Sequence, residues 1–288
     1  MRVAVCFKIV PDYEDVHTTE WRDGEQLDFT YVKKIYGCFD ESALETGLRL
    51  SDSLKAAGVS VETVAVTCGA PEGSVSEGLL RALFAAGFDD VVLLPACESF
   101  APRSTAKTLA TYFASNRADM IVTGRMVGPG DSGMVPVYLA HELGVEFYPE
   151  MTAAAWDRGL REDGTSGQSG SVGRIVITCK DGDFLKQYAV RSGAVCAVGD
   201  GEAGYLRLFP LKARMEAKKR VFSRFQSETC EKPECRGAAG GSGWNQTPVS
   251  GVILRSEEIE NQCNFMEYKS AEETAKVLIG ILNGEAEA

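Results

Sequence analysis

The sequence predicts an α/β fold: a Rossmann-like parallel sheet with an antiparallel strand excursion and a C-terminal extension. Three observations predict it. Short apolar runs alternate with amphipathic helical stretches through residues 1–143, the rhythm of a parallel sheet with right-handed crossovers. The first run, residues 2–10, is nearly continuous (Val3, Ala4, Val5, Cys6, Phe7, Ile9, Val10), as a strand covered on both faces reads. A Gly-rich loop, residues 124–135, stands between the apolar run 120–123 and a helical pattern ending at Leu143-Gly144. Strand, Gly-rich loop and helix together offer backbone N–H groups to an anion. The plain alternative is a long turn whose glycines only supply positive φ.

After the first strand, Pro11-Asp12 ends the run, and residues 13–36 read as a polar excursion with a turn at Asp23-Gly24. Residues 40–57 read as a helix capped by Asp40 or Ser42, with Ser42 and Glu45 in capping-box spacing and Gly58 as its stop. A strand over 59–67, a turn over 68–71, a helix over 72–86 and a strand over 90–94 follow, then a helix over 101–117. Ligands of such sheets bind at the carboxyl ends of the strands. Residues 6–8, 37–40, 67–69 and 124–135 are therefore expected to meet at one edge. After Thr152 the pattern changes: 152–156, 174–179 and 186–191 read as antiparallel strands, and 194–198 as a return to the main sheet. Residues 270–282 close the chain as a capped amphipathic helix. The expected division is a nucleotide-binding domain over 1–200, a basic partner-contact segment over 201–226, and a linker with a helical arm over 227–288.

A chain of 288 residues with 44% hydrophobic and 25% charged residues suits a globular protein. Its net charge of −11 argues against wrapping nucleic acid, and no apolar run approaches a membrane span. The opening residues lead into a strand rather than a signal peptide, so a cytoplasmic location is expected. Nine cysteines are scattered; Cys6, Cys68 and Cys179 fall in or beside apparent strands as buried thiols, and Cys230 and Cys235 read as an exposed loop feature without a second pair at metal spacing, with zinc as the weaker alternative. Two histidines, His17 and His141, give little support to a metal site or a Ser-His-Asp triad. The G-x-G-x-x-G and G-x-x-x-x-G-K-[ST] fingerprints are absent, and so is a nucleophile elbow. Any nucleotide must be held by the later loop, and any redox chemistry would come from a cofactor.

Four segments converge on a family. Val5-Cys6-Phe7-Lys8-Ile9-Val10-Pro11-Asp12 resembles the first strand of electron transfer flavoprotein β subunits, V-A-V-K-x-V-x-D. Gly37-Cys38-Phe39-Asp40-Glu41-Ser42-Ala43-Leu44-Glu45 is similar to N-P-F-D-E-x-A-[LV]-E, and Val64-Ala65-Val66-Thr67-Cys68-Gly69 to V-I-A-V-S-C-G. Met215-Glu216-Ala217-Lys218-Lys219-Arg220 is similar to M-K-A-K-K-K. The loop core Gly130-Asp131-Ser132-Gly133 resembles the G-D-T-A form of the bifurcating branch more than the N-Q-T-G form associated with structural AMP.

The resemblance implies an electron carrier subunit in a heterodimer with an electron transfer flavoprotein α subunit, passing electrons between a partner flavin dehydrogenase and an acceptor such as a quinone oxidoreductase, and it leaves room for NADH-dependent bifurcation. An AMP-binding or empty structural subunit is the alternative. The cofactor implied is FAD, with AMP as the alternative. Its site residues would be Cys6, Gly37, Cys38, Phe39, Asp40 and Cys68, then the loop Gly124, Arg125, Met126, Val127, Gly128, Pro129, Gly130, Asp131, Ser132, Gly133, Met134 and Val135. Backbone N–H groups of Gly128, Gly130, Ser132 and Gly133 are the expected phosphate donors, with Asp131 capping the helix or reaching a ribose. Three departures stand out: Met126 and Met134 occupy family glutamine positions, and Gly37 an asparagine position. The family's partner-recognition segment L-N-E-P-R-Y is here Asp200-Gly201-Glu202-Ala203-Gly204-Tyr205, without its leucine.

Overall fold

The computed structural model describes residues 1–12, 14, 32–69, 74–95, 102–126, 131–157 and 173–225. All of them lie in one compact unit, formed by residues 1–17 and 28–247. The expected helix over 270–282, the Asp23-Gly24 turn and Cys230 and Cys235 fall outside the described residues.

The sheet is mixed and mostly parallel. Its strands are β1 (Arg2–Cys6), β4 (Glu62–Cys68), β5 (Asp90–Leu94), β6 (Met120–Gly124), β7 (Phe147–Asp157), β8 (Arg174–Asp181), β9 (Phe184–Ala189), β10 (Ala194–Val198) and β11 (Ser223–Arg224); the remaining pair, β2 (Ile9–Pro11) and β3 (Lys34–Tyr36), forms a small ribbon of its own. The order is β11-β5-β4-β1-β6-β10-β7-β8-β9. Pairing is parallel from β11 to β7 and antiparallel from β7 through β8 to β9. The chain leaves β1 towards β4 and β5, then crosses back to β6 on its other side. That reversal opens a crevice beyond the carboxyl end of β1.

Helices cover both faces, as continuous apolar strands require. On one face α1 (Cys38–Ala56) and α2 (Ser74–Ala86) pack Leu44, Leu48, Leu54, Leu80 and Leu83 onto Val3, Val5, Ala65 and Val122. On the other, α3 (Pro102–Ser115) and α4 (Val135–Leu143) pack Leu109, Phe113 and Leu139 onto Ala4, Val64, Val92 and Ile121. Close approach is needed where α1 crosses β1: a Cβ on Gly47 would sit 2.4 Å from Cγ2 of Val5. The short helix α5 (Leu211–Ala217) lies within the expected basic segment and packs on α2.

Several expectations are corrected. The run 2–10 is two strands, broken at Phe7-Lys8, because the Lys8 N–H leaves the sheet to bond Asp40 Oδ2 at 2.9 Å while Lys8 O accepts from Gly37 N. Helix α1 starts at Cys38 with Gly37 as its N-cap and no side-chain cap bond. Neither Asp40 nor Ser42 caps it: the Asp40 carboxylate turns to Lys8, and the Ser42 hydroxyl donates to Ala203 O. Strand β7 begins at Phe147, five residues before its antiparallel pairing dominates, because its first part runs parallel to β10.

Candidate functional site

Three strand ends build the crevice. Cys6 closes β1 and Phe7 follows it, Val66 and Cys68 lie on β4, and Thr123 and Gly124 close β6. With Lys8, Asp40, Arg125, Met126, Asp131, Gly133, Val135, Pro136 and the first turns of α3 (Pro102, Thr105, Leu109), they line a cavity that is partly open to solvent.

The segments are held together by backbone contacts. A Cβ on Gly124 would lie 2.8 Å from Asp40 N and 2.8 Å from the Phe39 carbonyl carbon, so only glycine lets β6 pass the first turn of α1. The Gly124 N–H and the Lys8 N–H both bond the Asp40 carboxylate. Asp40 is 4% exposed. Burial raises its pKa to about 7; the two N–H donors and the Lys8 charge pull it down, and nearby Asp131 pushes it up. Burial also raises the Cys6 thiol well above its ordinary value, with Cys68 and Asp40 adding to it, so Cys6 stays a protonated, poorly nucleophilic thiol.

Two polar side chains at this edge are buried without a partner: the hydroxyls of Thr67 and Thr123. Thr123 lines the cavity, on the same face of the sheet as Cys6 and Val66. A buried hydroxyl without a bond is costly unless something completes it. An unpaired hydroxyl in the wall of the cavity therefore fits a polar ligand. Arg125 Nε is likewise buried and unbonded, while the guanidinium lies 4.4 Å over the Phe39 ring and Nη1 pairs with Glu150 at 3.1 Å.

Of the residues expected at the site, the structure brings Cys6, Asp40, Cys68, Gly124, Arg125, Met126, Asp131, Gly133 and Val135 around the cavity. Phe39 supports it from behind through Gly124 and Arg125. Gly37 is the buried N-cap of α1, Cys38 is exposed, and neither lines the cavity. Ser132 and Met134 are exposed; Met134 is the N-cap of α4. Val127, Gly128, Pro129 and Gly130 fall outside the described residues. Of the two roles expected of Asp131, helix capping is corrected: α4 has no side-chain cap bond, and Asp131 Oδ1 instead accepts from Gly133 N at 3.1 Å in a local turn, which removes the Gly133 N–H from the expected phosphate donors. Gly133 is itself required, with φ 63° and only 2.9 Å between a would-be Cβ and Arg125 O. Sequence reasoning missed Thr105 and Leu109 on α3, Thr123 and Glu150. The α3 residues follow from the crossover geometry after β5; Glu150 has no local signal, since its partner is 25 residues away.

Among the described residues no group of three or more His, Cys, Asp or Glu side chains is placed to hold a metal, and no helix is long and apolar enough to cross a membrane.

The electron transfer flavoprotein domain matches residues 31–199, more than half of the chain and including most of the cavity wall. The chain belongs to the electron transfer flavoprotein family. Similar curated proteins are the acryloyl-CoA reductase electron transfer subunit gamma of Anaerotignum propionicum, 31% identical over 57% of each chain, and the electron transfer flavoprotein subunit beta of Bradyrhizobium diazoefficiens, 31% identical over 50% of this chain and 55% of that one. The subunit beta of Megasphaera elsdenii is 29% identical over 54% of this chain and 56% of its own length. The chain thus spans little more than half the length of the curated relatives it matches.

Proposed function

We propose that this family member is the β-type subunit of an electron transfer flavoprotein, paired with an α subunit and working between a flavin dehydrogenase and an acceptor. The observation that carries the reading is the cavity beyond β1, β4 and β6, with the unpaired Thr123 hydroxyl in its wall, inside the family-matched region. The nucleotide we assign to it is FAD, on the Gly130-Asp131-Ser132 form of the loop, with NADH-dependent bifurcation as the finer version of the proposal and the cytoplasm as its setting.

When bound, the flavin supplies the electron acceptor and donor chemistry. The protein's part is to hold and orient. Thr123 completes its hydrogen bonding on the ligand, Gly124 and Gly133 permit close backbone approach, and the apolar wall of Val66, Leu109 and Val135 keeps water from one side. Asp40 adds a carboxyl group that takes up a proton near neutral pH, so the wall adapts to the charge of what it holds.

A second reading, AMP or no ligand in a subunit that stabilises its partner, is favoured by Met126, a thioether in the cavity wall where an amide would bond a sugar or phosphate. Co-purification with the α subunit, followed by denaturation and chromatography of released nucleotides, separates the two. Two FAD per heterodimer supports the first; one FAD with one AMP, or one FAD alone, overturns it.

A further inference from the structure

The end of β6 meets the start of the antiparallel extension beside the cavity in an arrangement that the sheet does not require. Glu150 is the one described non-glycine residue with a left-handed backbone, φ 51°. Such a backbone is disfavoured for any residue with a Cβ and persists where its surroundings hold it. Its side chain lies across Gly199, where a Cβ would come within 2.1 Å of Glu150 Oε2. Both carboxylate oxygens then accept from Arg125 Nη1, at 3.1 and 3.2 Å. Arg125 is fixed at two further points: its N–H donates to Val198 O at 2.9 Å, and its guanidinium stacks on Phe39. The pair is 37% exposed on each side, so it adds little to stability. A disfavoured backbone and a closely approached glycine thus serve a contact with small structural value.

The charge balance gives that contact a use. The charged groups lining the cavity are Lys8 and Arg125 against Asp40 and Asp131. Those four charges already balance, and with the Glu150 carboxylate on Arg125 the count is two positive against three negative, so an entering anion meets no surplus positive charge. Resting on the nucleotide reading, we infer that Glu150 is a specificity-determining residue: it holds Arg125 as a charge-neutralised hydrogen-bonding wall, so that the cavity takes an adenine nucleotide with about two phosphate charges, a monophosphate or a pyrophosphate diester, and turns away a triphosphate.

The test is titration of the full-length chain with AMP, FAD and ATP by calorimetry, at low salt, where the Debye length is about 30 Å at 0.01 M, and at 0.5 M salt, where it falls to about 4 Å. Glu150→Gln keeps the shape and one acceptor but removes the charge. A unit charge at roughly 7 Å in a solvent-exposed cavity changes binding about three- to fourfold per ligand charge. The variant is expected to bind AMP and FAD about tenfold more tightly and ATP more tightly still. The ATP-to-AMP preference should rise about tenfold at low salt and relax at high salt. Gly199→Ala, which pushes the carboxylate aside with its charge intact, should shift the preference the same way by a smaller factor; if Glu150→Gln does not fold, this variant decides. An unchanged ATP-to-AMP ratio, or an equal loss for all three nucleotides, overturns the role of Glu150 alone. A wild-type chain that binds none of them overturns the nucleotide reading itself, and this inference with it.

Discussion

The two ends of the parallel sheet are finished differently. At the amino end side-chain hydrogen bonds tie the strands down: Asp119 accepts from Arg2 N at 2.7 Å and from the Ser192 hydroxyl at 3.1 Å, Asp89 accepts from Thr63 N at 2.8 Å, and the Thr63 hydroxyl bonds Ser51 at 2.8 Å. At the carboxyl end a buried carboxyl group has its pKa raised, and two threonine hydroxyls have no partner. The same strands carry both ends, so sequence propensity cannot explain the contrast. One end is closed by hydrogen bonds, and the other has unpaired groups, which on the function proposed above a ligand would complete.

The sharpest way to break this contrast is pH. Asp40 has its folded-state pKa raised from 3.8 to about 7, so the folded chain binds a proton that the unfolded chain has already released. Stability from this group is full below pH 4 and is lost as pH rises towards 7, by up to about 4 kcal/mol. Asp40→Asn should remove that slope, so that urea unfolding of the ligand-free variant and wild type diverges steadily between pH 4 and 7. Parallel curves would count against a strained carboxyl at this edge.

A smaller effect is expected from bulk. Gly124→Ala forces a Cβ into the first turn of α1 and should lower stability by about 1–3 kcal/mol, with loss of nucleotide binding. At the closed end, Asp119→Ala leaves the Arg2 N–H without its acceptor and should cost about 1–3 kcal/mol while leaving nucleotide affinity intact. Equal damage to binding from both variants would erase the distinction between the ends.

The finest comparison uses one substitution at three places. Thr63→Val breaks a buried bond to Ser51 and should cost about 1 kcal/mol. Thr67→Val and Thr123→Val remove unpaired hydroxyls and should be neutral or slightly stabilising in thermal melts of the ligand-free chain. Thr123→Val alone should weaken nucleotide binding, by about five- to tenfold for one lost hydrogen bond.

Much of the frame was legible in the sequence. Strand β5 matches its expected bounds, 90–94, because Val91, Val92, Leu93 and Leu94 form a short apolar run behind the helix stop at Gly87. Helix α4 ends at Gly144, whose left-handed φ of 65° is what a glycine stop signals. The break at Phe7-Lys8 was not legible, because hydrophobic runs do not show that a backbone N–H will bond a side chain 32 residues later. For the same reason the cavity-facing loop was found but the fate of its donors was not: the Gly133 N–H is used within its own turn. Glu150 was invisible as a site residue, since its conformation and its partner both depend on the completed sheet.

Helix α1 does more than carry Phe39 and Asp40 to the cavity. Its next turns grip the chain far downstream: Ser42 holds Ala203, Glu41 accepts from Leu206 N at 3.3 Å, and the nearly buried Glu45 is clasped by the Arg207 guanidinium at 3.0 Å and by the Arg207 N–H at 3.0 Å. A fragment trimmed at residue 200 would look tidy on a domain map, yet it would strip these donors from Glu45 and release the helix that frames the crevice. The smallest piece able to hold a ligand therefore has to include the strap that returns to α1, and shortening the chain there would be a binding experiment as much as a folding one.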